Sequence, residues 1–474
     1  ALGAALGVKA YLEETGGPGT VIFYGCPGEE GGAAKAFMAR EGLWYGLDAA
    51  LTWHPDDCNE AAAGSSNACI QVQYLFHGVA AHAAGSPEKG RSALDAVTLM
   101  NMGVEFLREH MDTKARIHYA ITNAGGCSPN VVPARASVLY LVRSDKVEKA
   151  LALQKRVDTI ARAAAMMTET TLERKFIDGL AEVVPNTPLE ALLHKNLSEQ
   201  GAPAYTEEEL AFAAALEKTF HTEGYVPGAG SCQKAYAVAV RGMQKGPMND
   251  FVMPLFTGDA FSPGSTDVGD VSWQCPTAQL HVAAWPNGCP GHSWQNVSCG
   301  KSPLGYKALL KAAQVLCGAA IDLLEQPELL SAAREEFAAR TAGGYHCPIP
   351  AEAVPTLPEL GYEQINITYT HGAVSEGRLH RVCVTGIYPP RIVTGLLCIC
   401  PGIHRFFYSL HQYAGADSQG LADAEKGLQR RLAGAPLDGA QMGAPNAGKT
   451  ADYLLRKSLF LPAALDHLPH DHGI

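Results

Sequence analysis

The chain has 474 residues, of which 47% are apolar, enough for the cores of two or three domains. Its formal net charge of −11 and the lack of a basic patch argue against a nucleic-acid partner. No apolar run approaches the length of about 18 residues that a membrane-spanning helix needs, and thirteen cysteines without a Cys-x-x-Cys pair predict a reducing, cytoplasmic setting.

The first predicted elements are an Ala-rich helix over residues 2–14 and a short buried strand over residues 21–24. Gly and Pro residues end that strand, and the adjacent carboxylates Glu29 and Glu30 follow it. Ligands of open α/β sheets bind at the carboxyl ends of strands, so chemistry is expected there. The alternative is a solvated acidic turn.

A second helix is predicted over residues 33–41 and a second strand over residues 47–53. This strand is expected to place His54 at its carboxyl end, at the same edge of the sheet, hereafter the rim, as Glu29 and Glu30. The alternative for His54 is a surface or capping histidine.

The middle of the chain is predicted to form a ferredoxin-like α+β domain, residues 67–187, inserted into a larger α/β domain made of residues 1–66 and 188–350. Its pattern is β-α-β-β-α-β, with elements at residues 70–76, 90–110, 117–122, 138–143, 147–167 and 170–176.

The second part of the larger domain is predicted to contain helix over residues 188–220 and an irregular Gly-rich stretch over 224–249. A loop over 260–273 follows, in which Asp267 and Asp270 are expected to order the chain rather than bind metal. A strand over 278–285 and a closing helix over 304–324 complete it. Residues 351–474 are expected to be an appendage with little fold. The alternative is a metal site built from the Cys and His residues of that tail.

Several motifs carry a family resemblance. They are Gly-Cys-Pro-Gly-Glu-Glu-Gly-Gly at 25–32, Thr-Trp-His-Pro at 52–55, Gly-Val-Ala-Ala-His-Ala-Ala-Gly at 78–85, Asn-Val-Val-Pro at 130–133, Ser-Thr-Asp-Val-Gly-Asp-Val-Ser-Trp at 265–273 and Gly-His-Ser-Trp at 291–294. In this order they resemble the metal-dependent amidohydrolases of the aminoacylase and carboxypeptidase superfamily. The resemblance covers about residues 1–350.

The resemblance implies a mixed-sheet catalytic domain that holds two divalent metal ions, manganese or zinc. Glu29 would be the general base, Glu30 and His292 would share one ion, and His54 would hold the second. The residue types agree with this, because imidazole and carboxylate suit such ions and a base outside the metal shell can move a proton to a leaving amine.

The inserted domain would be the lid and dimerisation domain of that family. His82 would reach the site of a partner subunit and stabilise an oxyanion, its alternative being a cap on the helix that starts near residue 90. Asn130 and Arg143 would hold the substrate carboxylate, although a strand arginine can also be a solvated edge charge.

The implied activity is hydrolysis of an N-acyl or N-aroyl amino acid, with release of an amino acid for which glutamate is the expectation. The implied assembly is a homodimer or a pair with a homologous subunit. Family members carry further metal ligands on a segment upstream of residue 1, so the chain is expected to lack part of the catalytic domain. A non-catalytic homologue that keeps the dimerising lid is therefore the alternative.

Overall fold

The computed structural model describes residues 1–223, 225, 240–256 and 260–359. The predictions for the tail beyond residue 359 and for most of residues 224–249 lie outside this part of the chain. The described helices are α1 Leu2–Thr15, α2 Glu29–Gly32, α3 Ala34–Arg40, α4 Ala93–Arg108, α5 Val147–Thr168, α6 Thr187–Gln200, α7 Glu207–Glu217, α8 Val268–Ser272, α9 Trp294–Cys299, α10 Pro303–Glu325 and α11 Pro327–Arg340. The described strands are β1 Ala50–Asp56, β2 Glu60–Ala61, β3 Ser65–Ser66, β4 Ala68–His77, β5 Arg116–Asn123, β6 Arg135–Ser144, β7 Thr171–Leu180, β8 Phe261–Ser262 and β9 Thr277–Ala283.

The larger domain is built around a small mixed sheet in the order β1-β9-β2. β1 pairs with β9 in parallel, and β2 pairs with β9 in antiparallel. Leu280 and Val282 of β9 are fully buried, on the face where α6 and α10 pack. The polar residues His54 and His281 are paired across β1 and β9 and so share the opposite face.

The inserted domain has a four-stranded antiparallel sheet in the order β5-β6-β4-β7. Its chain order, β4-α4-β5-β6-α5-β7, is the predicted ferredoxin-like arrangement. Alternate residues of β4 and β6, such as Tyr74 and Tyr140, are fully buried against α4 and α5. Tyr140 donates a 2.6 Å hydrogen bond to Asn101 of α4, which satisfies its buried hydroxyl.

The other face of this sheet rests on the larger domain. Phe37 of α3 and Ile349 join Cys69 of β4 and Leu180 of β7 in one apolar cluster. The side chain of Gln73 also makes two hydrogen bonds with the backbone of Glu359, of 2.6 and 2.7 Å. The segment that ends at Glu359 therefore packs along the lid sheet.

The predicted strand over residues 21–24 is wrong. These residues form no strand, and Ile22 and Phe23 are 54% and 40% exposed. A strand needs a neighbour to take up its backbone hydrogen bonds, and no described strand pairs with this segment. Ile22 and Phe23 line an apolar cavity of about 530 Å³ beside α1, which none of the predicted site residues lines.

Two other predictions need correction. The strand predicted over residues 47–53 is β1, Ala50–Asp56, so His54 lies within the strand and not beyond its end, because the ladder to β9 continues as far as Ala283. The loop predicted over 260–273 contains β8 and α8. Its acidic residues Asp267 and Asp270 are fully buried, which a solvent loop would not allow.

Candidate active site

The paired glutamates lie in a tight turn that separates their side chains. Gly28 and Gly31 take up positive φ angles of 68° and 81°, which glycine adopts without strain. Glu29 is half-buried, whereas Glu30 is exposed. The turn therefore gives the two adjacent carboxylates different environments.

Glu29 lies among acidic side chains, with the positively charged side chain of Lys35 nearby. Burial raises the pKa of Glu29, and Asp267 and then Glu30 raise it further, whereas Lys35 and a hydrogen bond from Thr266 act in the opposite direction. Lys35 forms a 2.7 Å ion pair with Asp267, which also accepts the Lys35 backbone N–H at 3.0 Å. This ion pair fixes the start of α3 beside Glu29.

Glu30, His54 and His292 come together from three separate segments. The Nδ1 atom of His292 lies 3.9 Å from Oε2 of Glu30. Partial burial and then His281 lower the pKa of His54. Glu30 is close enough to His54 to act in the opposite direction, although it does not outweigh them. His292 has a φ of 56°, a left-handed conformation that is uncommon outside glycine and concentrates at functional sites.

Glu30 and His292 are close enough to share a divalent cation. The two atoms are 3.9 Å apart, which is within the limit of about 4.2 Å for ligands on opposite sides of one ion and slightly beyond the roughly 3.3–3.8 Å of tetrahedral zinc ligands. The surrounding charge agrees, because Asp178 lies near Glu29 and Asp267, and burial followed by these two carboxylates raises the pKa of Asp178 to about 7. The residues that hold a cation here would be Glu30, His54 and His292.

His82 and Asn130 lie together at the tip of the lid. His82 forms a β-bridge with Val131, and the Asn130 carbonyl accepts the N–H of Ala83 at 2.9 Å. Nδ1 of His82 accepts two backbone hydrogen bonds, of 3.2 and 3.0 Å, from residues 84 and 85. This pattern leaves the proton on Nε2, where it can be donated to a ligand.

His82 does not cap the helix that follows it. The N-cap of α4 is Ser92, whose hydroxyl accepts the backbone N–H of Asp95 at 3.1 Å. The capping alternative for His82 is therefore wrong, and its imidazole is exposed.

The lid strands separate His82 from Glu29 of the same chain. Asp178, near the carboxyl end of β7, lies beside Glu29, whereas Thr171, at the other end, pairs with His77. Seven residues of strand span about 23 Å, and His82 lies beyond His77 on the far side. The two side chains therefore do not share a site within one chain.

Arg143 is also distant from Asn130. It lies near the end of β6 that pairs with Cys69, whereas Asn130 precedes the opposite end, about 30 Å away along the ten residues of the strand. Because β6 is an inner strand, Arg143 is not the edge charge of the alternative interpretation. It is half-buried, and its Nε has no hydrogen-bond partner among the described residues.

The sequence interpretation did not include Lys35, Thr266 or Asp178 in the site. Lys35 follows the glutamate pair by five residues and is the first basic residue after it, which is the one signal available. Thr266 lies in the motif at residues 265–273, which is a signal for that segment, whereas the sequence around Asp178 carries none.

Comparisons with known proteins agree with this architecture. Residues 64–168 match the family model of the peptidase dimerisation domain of the M20 peptidases. Over 368 residues the chain is 44% identical to a subunit of the p-aminobenzoyl-glutamate hydrolase of Escherichia coli, a match that covers 75% of each chain. The chain belongs to the M20 family of metal-dependent amidohydrolases.

Other relatives of this M20 protein are more distant. It is 28% identical over 337 residues to the Xaa-Arg dipeptidase of Mus musculus, a match that covers 70% of this chain and 66% of that protein. A crystal structure of an aminobenzoyl-glutamate utilization protein from Klebsiella pneumoniae matches with a TM-score of 0.41 and 18% identity, over 67% of this chain and 66% of that one.

The relationship confirms the predicted mixed α/β fold and the predicted kind of enzyme, a metal-dependent amide hydrolase. M20 peptidases are generally dinuclear metalloenzymes, and the dimerisation domain indicates assembly with a further subunit. Among the described residues, no helix is both long enough and apolar enough to span a bilayer.

Proposed function

We propose that this M20 protein hydrolyses the amide bond of an N-acyl or N-aroyl amino acid and releases glutamate. The observation that carries the proposal is the position of Glu29 beside the exposed group of Glu30, His54 and His292. The name of the Escherichia coli relative, a p-aminobenzoyl-glutamate hydrolase, supports an aroyl-glutamate substrate. A cytoplasmic location is part of the same proposal.

Each residue of the rim has a separate task. Glu30 and His292 would hold one divalent cation and His54 a second, manganese or zinc, and such cations would supply Lewis-acid activation of water and of the amide carbonyl. Glu29 takes the proton from the attacking water and passes it to the leaving amine. Lys35 and Asp267 keep Glu29 in place by fixing the start of α3.

The lid supplies the remaining groups from a second copy of the chain or from a homologous subunit. In this proposal Nε2–H of His82 donates to the oxyanion, and Asn130, beside it, contacts the substrate. The distance of about 23 Å along β7 supports action on the partner's site rather than on the site of the same chain. Arg143, in contrast, lies at the opposite end of the lid sheet, the end near Asp178 and Glu29 of its own chain, and would bind the substrate carboxylate from that chain.

Subunit complementation tests this arrangement. Full-length Glu29→Gln and His82→Ala proteins are each expected to lose about two to three orders of magnitude in turnover of p-aminobenzoyl-glutamate. A mixture under conditions of subunit exchange is expected to recover part of the activity, because a mixed dimer contains one site with both intact residues. No recovery, with exchange demonstrated by mass-tagged subunits, would rule out action across the subunits.

Metal content separates the base from the ligands. Glu29→Gln is expected to retain the wild-type metal content, whereas Glu30→Ala and His292→Ala are expected to lose metal, because each removes a ligand. Glu41→Gln, an exposed carboxylate at the end of α3, is the matched control and should change neither metal nor activity. Equal metal loss in Glu29→Gln would remove its role as the base. Full metal content without hydrolysis of any amino-acid conjugate would favour the non-catalytic alternative.

A further inference from the structure

A second group of metal-ligating side chains lies on the same sheet, outside the residues assigned above. Asp56 ends β1, Cys58 lies in the turn to β2, and His281 lies in β9. One ligand atom from each of these residues lies within 4.8 Å of the others. Glu60 of β2 pairs directly with His281 across the sheet, and its Oε1 lies 3.3 Å from Nδ1 of that histidine.

His281 faces more acceptors than it can satisfy. Its Nδ1 lies 3.1 Å from Oδ2 of Asp56 and 3.3 Å from Oε1 of Glu60. One ring nitrogen carries at most one proton, so it donates to only one of these oxygens at a time. Within the described residues, His281 is the only ion-pair partner of either carboxylate.

The other ring nitrogen of His281 is already occupied. Nε2 lies 3.0 Å from the side-chain amide of Gln279, which fixes the plane of the ring and leaves Nδ1 facing the carboxylates. Metal bound at Nδ1 leaves the proton of the neutral ring on Nε2, so the Gln279 amide must present its oxygen there to be the outer acceptor that metal-binding histidines usually have.

Cys58 completes the group from within the protein. Cys58 is 2% exposed, and its thiol lies near the carboxylates of Glu60 and Asp56. Burial raises the pKa of Cys58, and the nearby carboxylates of Glu60 and Asp56 raise it further, so in the absence of a cation the thiol keeps its proton. A divalent cation reverses this preference, because a coordinating thiol is deprotonated.

We propose that Asp56, Cys58 and His281, with a fourth oxygen from Glu60, form a zinc site that fixes the β1–β2 turn to β9. Cysteine, histidine and carboxylate are the three ligand types that zinc takes. Zinc bonds of about 2.0–2.3 Å place tetrahedral ligands roughly 3.3–3.8 Å apart, so the atoms of Asp56, Cys58 and His281, which lie within 4.8 Å of one another, need to approach by at most about 1.0–1.5 Å. Binding displaces the thiol proton of Cys58 to solvent and forms a sulfur–zinc bond.

This site differs from the predicted catalytic centre in its ligands. The rings of His54 and His281 are 6.0 Å apart and are arranged edge to face, so each histidine is free to serve a separate cation. Of the two sites, only the new one includes a cysteine of the described chain. The nearest zinc ligand in sequence, Asp56, lies two residues beyond His54. By holding the β1–β2 turn, the zinc would therefore help to position His54 in the catalytic site.

Cobalt substitution of the full-length protein tests the proposal, because a cysteine ligand gives Co²⁺ a sulfur-to-metal charge-transfer absorption that oxygen and nitrogen ligands do not. Chelator-treated wild-type protein is expected to show this band on addition of Co²⁺. Cys58→Ser is expected to lose it, whereas Cys69→Ser, which alters a cysteine that is equally buried in the lid, should retain it. Glu30→Ala should also retain the band while it loses cobalt from the catalytic rim.

Zinc affinity provides a second readout. A zinc titration is expected to show at least a roughly 100-fold weaker affinity for this site in Cys58→Ser, since even outer partners of metal ligands contribute about 10–100-fold. Asp56→Asn, which preserves the shape of its side chain, should weaken binding as well and serves if Cys58→Ser does not fold. Absence of the charge-transfer band in cobalt-loaded wild-type protein, or its persistence in folded Cys58→Ser, would overturn the proposal.

Discussion

Replacing Gly269 with alanine tests how tightly the lid is joined to the catalytic domain. Gly269 lies in α8 with an ordinary helical backbone, so helix propensity alone predicts that alanine stabilises the protein by about 0.5–1 kcal/mol. The contacts predict the opposite. A Cβ atom at this position would lie 2.0 Å from the carbonyl oxygen of Ala181, directly after β7.

The neighbouring hydrogen bonds determine the cost. An ordinary contact of 3.4 Å requires a backbone shift of roughly 1.4 Å. The backbone after β7 is held by Asp270, which accepts the N–H of Ala181 at 3.0 Å, and by Ser272, which accepts that of Val184 at 2.8 Å. Overpacking costs about 1–3 kcal/mol, and one hydrogen bond to a charged group contributes about 1.5–3 kcal/mol. After the propensity gain, Gly269→Ala should destabilise the protein by about 2–5 kcal/mol.

Urea unfolding followed by tryptophan fluorescence measures this difference through the transition midpoint at unchanged slope. Gly343→Ala is the control, because a Cβ there meets no atom within 4 Å and the backbone has no positive φ. That control should stay within about 0.5 kcal/mol of the wild type. If Gly269→Ala were as stable as the control, the inferred rigidity of this junction would be wrong.

Three further predictions concern stability. Burial, and next Glu336, raise the pKa of Glu190 to about 7 from 4.5, so the folded state binds the extra proton and wild-type stability falls as pH rises between these values. Glu190→Gln should reduce the fall of the unfolding free energy with pH by up to about 1.4 kcal/mol per pH unit. Urea midpoints of the wild type and the variant that change in parallel from pH 4.5 to 8 would contradict this prediction. Asn59→Ala should lower the free energy of unfolding by about 2–4 kcal/mol, because the buried amide donates to Asn249 at 2.7 and 2.8 Å and accepts a backbone N–H at 2.9 Å. A double-mutant cycle of Asn59 and Asn249 that shows no coupling energy would exclude this network. Thr206→Ala should lower the free energy of unfolding by about 1 kcal/mol, because it removes the capping box of α7, whereas Thr206→Ser should unfold thermally near the wild type. Equal melting temperatures for the alanine and serine variants would contradict the cap.

The lid could be predicted from sequence because its signals are local. Strands β4 and β6 alternate between apolar residues that face α4 and α5 and residues that face away, and this period of two identifies a strand without knowledge of its partner. The predicted and observed ends of these elements differ by only a few residues. Amphipathic helices between the strands then fix the order of the fold.

The region around residues 21–24 could not be predicted in the same way. Four apolar residues bounded by glycine and proline satisfy the local pattern of a buried strand, yet the pattern does not show whether a neighbouring strand is available. The same limit applies to His281, whose importance comes from its cross-strand neighbours His54 and Glu60. In sequence it is an unremarkable histidine in an apolar strand.

The candidate active site contains more carboxylates than the nearby lysine, Lys35, can neutralise. Glu29, Glu30, Asp178 and Asp267 lie close together, and Lys35 forms an ion pair with only one of them. Like charges at such distances raise one another's pKa and oppose folding, and they add to burial in raising the pKa values of Glu29 and Asp178. A divalent cation that binds only the folded state offsets this cost by about 2.7 kcal/mol at a concentration about 100 times its Kd. The metal dependence of M20 enzymes and the acidic surroundings of this rim therefore have one physical basis, since the carboxylates that destabilise the metal-free rim are those that make a cation bind there.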